Sequence, residues 1–193
     1  MKNPTDEQDR RTARECFDAA QALRESSAPD DITTRLQVGS YLSQMRKCLL
    51  RGKSTIADLG LTQSEVDRVD GVALITYKLH VARTTIYFDY ARLLIKDIHD
   101  EMECREITDA QRIEVGCTEK DLKQIMAAAA IFEARRLLGE AGKLEMFKAL
   151  DLPNNESSLA LINQACRVVE KYVPGGFEAA FGMSSESIMV LFL

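Results

Sequence analysis

Four side chains in the first third of the chain have the chemistry to touch nucleic acid. Gln63, Ser64 and Arg68 fall on the outward side of Leu59-Gly60-Leu61-Thr62-x-x-x-Val66-x-x-Val69, and Lys53 lies just upstream. The stretch has the pattern of the second half of a helix-turn-helix. A hydrophobe flanks the turn glycine on each side, and two inward valines then hold the second helix on the core. Amide, hydroxyl and guanidinium groups placed this way can reach base edges or phosphates. Against this, Ile56 takes the position a small residue usually fills in the first helix, that helix is short, and Asp58, Glu65, Asp67 and Asp70 bring negative charge to the same surface. A capped corner serving only as structure uses the same residues.

The charge distribution adds one supporting feature. The chain carries a net −5, yet residues 31–90 carry +2, and no acidic residue occurs between Ile32 and Ala57. Arg35, Arg46, Lys47, Arg51 and Lys53 all fall in that gap, a basic island suited to phosphate contacts just ahead of the corner. The overall pI near 5.2 pulls the other way, because nucleic-acid-binding domains are usually basic.

Other chemistry finds little support. No phosphate-binding glycine loop, nucleophile elbow or paired-histidine metal motif is present, so no catalytic residue is assigned and the chain is not expected to be an enzyme. His99 with Glu103, and Asp100 with Cys104, lie one helical turn apart and could in principle ligate a metal. Asp97–Glu106 reads more simply as a solvated acidic helix face, and neither metal nor cofactor is expected. The five cysteines are dispersed without a CxxC pair, as reduced thiols acting as small hydrophobes. With no apolar leader behind MKNPTDEQDRR and no apolar run near the roughly 20 residues that span a bilayer, the expected location is the cytoplasm, away from membrane.

Helices must position all of this. Apolar residues recur at helical spacing nearly throughout, and only four prolines and ten glycines interrupt them, which predicts an all-α, compact multi-helix domain. Start signals are Thr5 with Gln8, the Ser26–Asp31 loop, Thr62 with Glu65, Thr108 with Gln111, and Thr118 with Asp121. Gly52, Gly60 and Gly116 suit stops, Gly71 is read as loosening the helix whose inner face carries Val66, Val69 and Ala73, and Gly139 and Gly142 are read as loosening the chain before a short helix at Lys143–Leu150. Leu152-Pro153-Asn154-Asn155 reads as a loop. Thr84–Phe88 has strand character, but Ile86, Tyr90, Leu93, Leu94 and Ile98 favour one helix from about Thr85 to Cys104, with those residues inward. The organisation divides into an N-terminal helix (1–30), a region carrying the helix-turn-helix-like segment (31–106) and a C-terminal helical region (107–193). Residues 57–66 are echoed by 113–122, each a short helix, a glycine turn, a threonine cap and an amphipathic helix; this fits a duplication or two independent corners. The apolar end Ile188–Leu193 must pack on the core or on a partner.

Ser40-Tyr41-Leu42 on one helix, the Lys53-Ser54 turn, Leu59-Gly60-Leu61 and Lys78-Leu79 together make residues 36–90 resemble the FlhD subunit of the bacterial flagellar master activator. The resemblance covers under a third of the chain and leaves the C-terminal helices outside the family pattern. It implies a helical, oligomerising protein that activates transcription together with a zinc-bearing FlhC partner. The sequence thus points first to a DNA-associated transcription regulator acting as an oligomer or with a partner, with Lys53, Gln63, Ser64 and Arg68 as contacts. The alternative is a helical interaction module (adaptor, chaperone or inhibitor) that works through its helix faces and apolar C-terminus without DNA.

Overall fold

The computed structural model describes residues 4–26, 31–148 and 155–191, and every described element is helical. In chain order these are α1 (Pro4–Ser26), α2 (Ile32–Arg51), a 3-10 turn (Ala57–Leu59), α3 (Gln63–Asp70), α4 (Ala73–Thr84), α5 (Phe88–Cys104), α6 (Asp109–Val115), α7 (Glu119–Lys148), α8 (Asn155–Tyr172), α9 (Gly176–Phe181) and α10 (Ser185–Leu191). The all-α reading holds. Of the loop expected at Leu152–Asn155, residues 152–154 lie outside the described residues, and Asn155 instead opens α8.

The helix starts largely follow their caps. Asp31 accepts hydrogen bonds from Thr33 and Thr34 N–H and opens α2, and the Thr34 hydroxyl, followed by these N–H groups, holds its carboxyl below the usual range. Thr62 and Glu65 form a complete capping box at α3. Thr108 and Gln111 bond reciprocally at α6, as do Thr118 and Asp121 at α7. The helix start read at Thr5 falls one residue inside α1, which already includes Pro4. Gly71, at φ 56°, separates α3 from α4.

Two readings of breaks are corrected. Gly139 and Gly142 do not interrupt the chain: α7 runs unbroken for 30 residues. Its apolar side, with Ala134, Leu137 and Ala141, packs on Ile162, Ala165 and Val169 of α8, and tertiary burial of that kind outweighs the cost of two glycines. The Thr84–Phe88 stretch is no strand: Thr84 ends α4, Thr85–Tyr87 is the turn, and the helix expected from about Thr85 to Cys104 begins at Phe88.

The chain divides into two compact units. The first comprises Met1–His80 and Ile98–Val115, and the second Val81–Asp97 and Gly116–Leu193. In the first, α1 packs along α2, and Phe17, Leu42, Met45, Val66, Val69 and Leu74 form the core. In the second, α7 packs along α8, with Phe177 and Ile188 joining from α9 and α10. The apolar C-terminal segment is therefore part core: Ile188 is buried, Met189 partly so, and Val190 is 70% exposed.

The sequence echo has a matching backbone. Lys53 and Glu106, after α2 and α5, are the non-glycine residues with positive φ (48° and 50°) among the described residues. Each sits in a wide hydrogen-bonded stop, Ser54 N–H to Leu49 O and Ile107 N–H to Met102 O. Two residues beyond each comes a capping threonine, Thr55 or Thr108; then a short helix, a left-handed glycine (Gly60 or Gly116), and, two residues on, Thr62 or Thr118. Leu61, Val66 and Val69 are buried in one corner as Cys117, Leu122 and Ile125 are in the other. The corners differ in the short helix, three residues in one and seven in the other.

Candidate functional site

The first corner has the backbone its sequence required. Gly60 adopts φ 71°, the Thr62 box fixes the start of α3, and Val66 and Val69 anchor its inner side. Gln63, Ser64 and Arg68 are exposed on α3, and Lys53 is exposed in the preceding loop. Gln63 Nε2 donates to Asp67 Oδ1 at 2.7 Å, so its amide is already engaged. The element before the turn is a single 3-10 turn, and Arg14 Nη1 bonds to its Leu59 carbonyl.

The basic island is largely neutralised by acids from elsewhere in the chain. Arg35 pairs with Glu114 at 2.8 Å, Arg51 with Asp9 at 2.9 Å, and Arg46 grips Glu101 with two hydrogen bonds of 2.6 and 2.9 Å. Lys47 and Lys53 remain exposed. Sequence alone misses this because each arginine's partner lies between 42 and 79 residues away.

Glu101 also corrects the reading of Asp97–Glu106 as a solvated face. His99, Asp100, Glu103 and Cys104 are exposed, but Glu101 is only 9% exposed and belongs to a buried charge network. Arg105 donates to Asp70 at 2.6 Å and to the Gly71 carbonyl, and lies 3.8 Å from Glu101. Lys78 stands 3.9 Å from Glu101, and Asp70 Oδ1 accepts the Leu74 N–H at 2.8 Å, starting α4. Burial works to raise the Glu101 carboxyl, but the Arg46 hydrogen bonds and charge, backed by Lys78 and Arg105, outweigh it and hold Glu101 low. For Asp70 burial wins and pushes the carboxyl up, against the pull of Arg105 and the Leu74 N–H. The network ties α2, the α3–α4 junction, α4 and α5 together from within the first unit.

In the second unit the inward pattern expected along α5 separates into two apolar faces. Ala91, Leu94 and Ile95 are buried there, while Tyr90 and Leu93 are 42% and 59% exposed. Ile86 and Tyr87, in the turn before α5, are 62% and 66% exposed. Four large apolar side chains within eight residues are thus exposed, a concentration of the kind that marks a contact site. The sequence signal for it was the excess of hydrophobes over what one helix face can bury.

No family model, curated protein or solved structure matches the chain.

Cys16, Cys48 and Cys117 are buried, Cys166 is half-buried and Cys104 exposed, all as free thiols. Burial raises the Cys16 and Cys166 thiols, which disfavours the thiolate a nucleophile or metal ligand needs. Among the described residues no helix is long and apolar enough to cross a membrane.

Proposed function

We propose that this chain is a helical protein–protein interaction module, working within an assembly through the exposed apolar side chains from Ile86 to Leu93. The observation that carries the reading is the exposure of those four side chains, two in the turn before α5 and two on α5, whose other face already supplies a core. Exposed apolar area of this kind is stabilised by removal from water at about 25 cal/mol per Å². Tyrosine, with two tyrosines here, is also enriched at the centres of interfaces.

A photo-crosslinking side chain tests this directly. With Tyr90→p-benzoylphenylalanine expressed in the source cell, irradiation should yield a discrete protein adduct. The same substitution at exposed Lys120, on α7, is the control and should yield none. Absence of any adduct at position 90 removes the interaction reading.

The second reading is a DNA-associated transcription regulator, as the resemblance to FlhD implies, and the Gly60 turn with exposed Lys53, Gln63, Ser64 and Arg68 favours it. Because the island's arginines are paired, contact would rest on few phosphates and need an assembly to be strong. Titration against genomic fragments at several salt concentrations is then expected to show weak, steeply salt-dependent binding. Arg68→Ala should lower sequence preference, and Lys53→Ala should flatten the salt slope by about one unit. No enrichment of any sequence, alone or with co-purified proteins, rejects this second reading.

A further inference from the structure

We infer that the occupant of this surface is a second copy of this chain, paired antiparallel along α5. The inference rests on the interaction reading above and specifies its partner. On α5, Tyr90, Leu93 and Asp97 follow one another at spacings of three and four residues, the seam of a helix that meets another helix, and Ile86 lies in the turn just ahead of it. In an antiparallel pair related by a two-fold axis, Tyr90 of each copy packs on Leu93 of the other. That register sets the flanking position before Tyr90 against the one three residues after Leu93. These are Asp89 and Lys96, both exposed, and the symmetry forms the ion pair twice.

The charges select this arrangement over the alternative. A parallel pair would bring Asp97 beside Asp97 and Asp100 beside Asp100 in the seam, like charges in the place where they cost most. In the antiparallel pair Asp97 falls at the rim, beyond the Tyr90–Leu93 contacts. Among the described residues Asp89 pairs with Arg92 at 3.4 Å, with both side chains more than half exposed, so that contact yields at little cost. A single-helix seam is small beside the roughly 1,200–2,000 Å² of a stable interface, so the dimer should be weak, with a dissociation constant on the order of 10 μM.

Sedimentation equilibrium of the full chain across that concentration range is the test. The wild type should pass from monomer to dimer. Leu93→Glu should weaken association at least about 30-fold, and Lys96→Glu about 5- to 10-fold. The double exchange Asp89→Lys with Lys96→Glu should restore it to within about two-fold, since it reverses each pair without removing it. All three sites are exposed, so unchanged thermal unfolding serves as the check that each variant folds. A monomer at every concentration, association indifferent to Leu93→Glu, or a double exchange that fails to restore binding each overturns the inference. The crosslink at position 90 separates the two levels of reading. An adduct of twice the chain mass agrees with self-pairing. An adduct with a different protein overturns self-pairing and leaves the interaction reading standing, and no adduct removes both.

Discussion

Arg105→Ala should destabilise the first unit by about 3–5 kcal/mol, the loss that follows when one partner is removed from a buried ion pair. Asp70 is 1% exposed, and without Arg105 its carboxylate and the Gly71 carbonyl both lose their donor. Asp70→Asn should cost less. The amide oxygen can still accept the Leu74 N–H, and the change removes a charge whose burial already disfavours it. Urea unfolding gives the ranking, and the reverse order would mean that the charge of Asp70 stabilises more than its cap does. The acid limb provides a second reading of the same network. Glu101 has its folded pKa lowered, so its contribution is complete above the unfolded value of about 4.3 and is lost as pH falls through the folded value. Asp70, raised on folding, has the opposite sign: its contribution is complete below about 3.9 and fades as pH rises through the folded value. Glu101→Gln should therefore lower the urea midpoint at neutral pH and flatten its fall in acid. An acid limb as steep as that of the wild type would show that other carboxylates control it.

Gly39→Leu should abolish cooperative unfolding of the first unit, and even Gly39→Ala should cost roughly 3 kcal/mol, the upper end for overpacking. An added Cβ at Gly39 would lie 2.2 Å from the Ala73 carbonyl oxygen and 2.6 Å from Tyr77 Cβ. The obstacle is the backbone of α4, which cannot rotate aside as a side chain can. Gly139→Ala in α7 is the matched control. Its Cβ would meet nothing within 4 Å, so it should stabilise by about 0.5–1 kcal/mol through helix propensity alone. If both glycines respond alike in denaturant titrations, the crossing of α2 and α4 is looser than these distances require.

What the sequence revealed and what it hid divide along the length scale of the interactions. Thr62 with Glu65, Thr108 with Gln111 and Thr118 with Asp121 were legible because a cap and its acceptor lie three residues apart, and the physics that joins them is local. Val66 and Val69 were legible for the same reason, as positions on one helical face, but the break at Gly71 puts Ala73 on the next helix. Arg46 was read as a free cation because nothing within a turn of it is acidic, and its partner Glu101 lies 55 residues away. Gly39 gave no signal in the sequence, since the helix it touches is invisible in a one-dimensional pattern. On α5 the hydrophobes were seen, but Tyr90 and Leu93 could not be told from Leu94 and Ile98 until packing had chosen an inner face. The candidate site was legible in its turn chemistry and hidden in its electrostatics.

The first unit is written in two pieces, Met1–His80 and Ile98–Val115, and this sets an order on biosynthesis. When a ribosome has released the first eighty residues, α1 and α2 can already pair, because their contacts are close in sequence. Asp70 has emerged by then, but the guanidinium that neutralises it has not. The nascent chain must wait for seventeen residues that belong to the other unit, and for the end of α5, before that carboxylate can be enclosed. Until then the α3–α4 junction has reason to stay open to water. An early-emerging surface of this kind is where a chaperone or an assembly partner would first meet the chain.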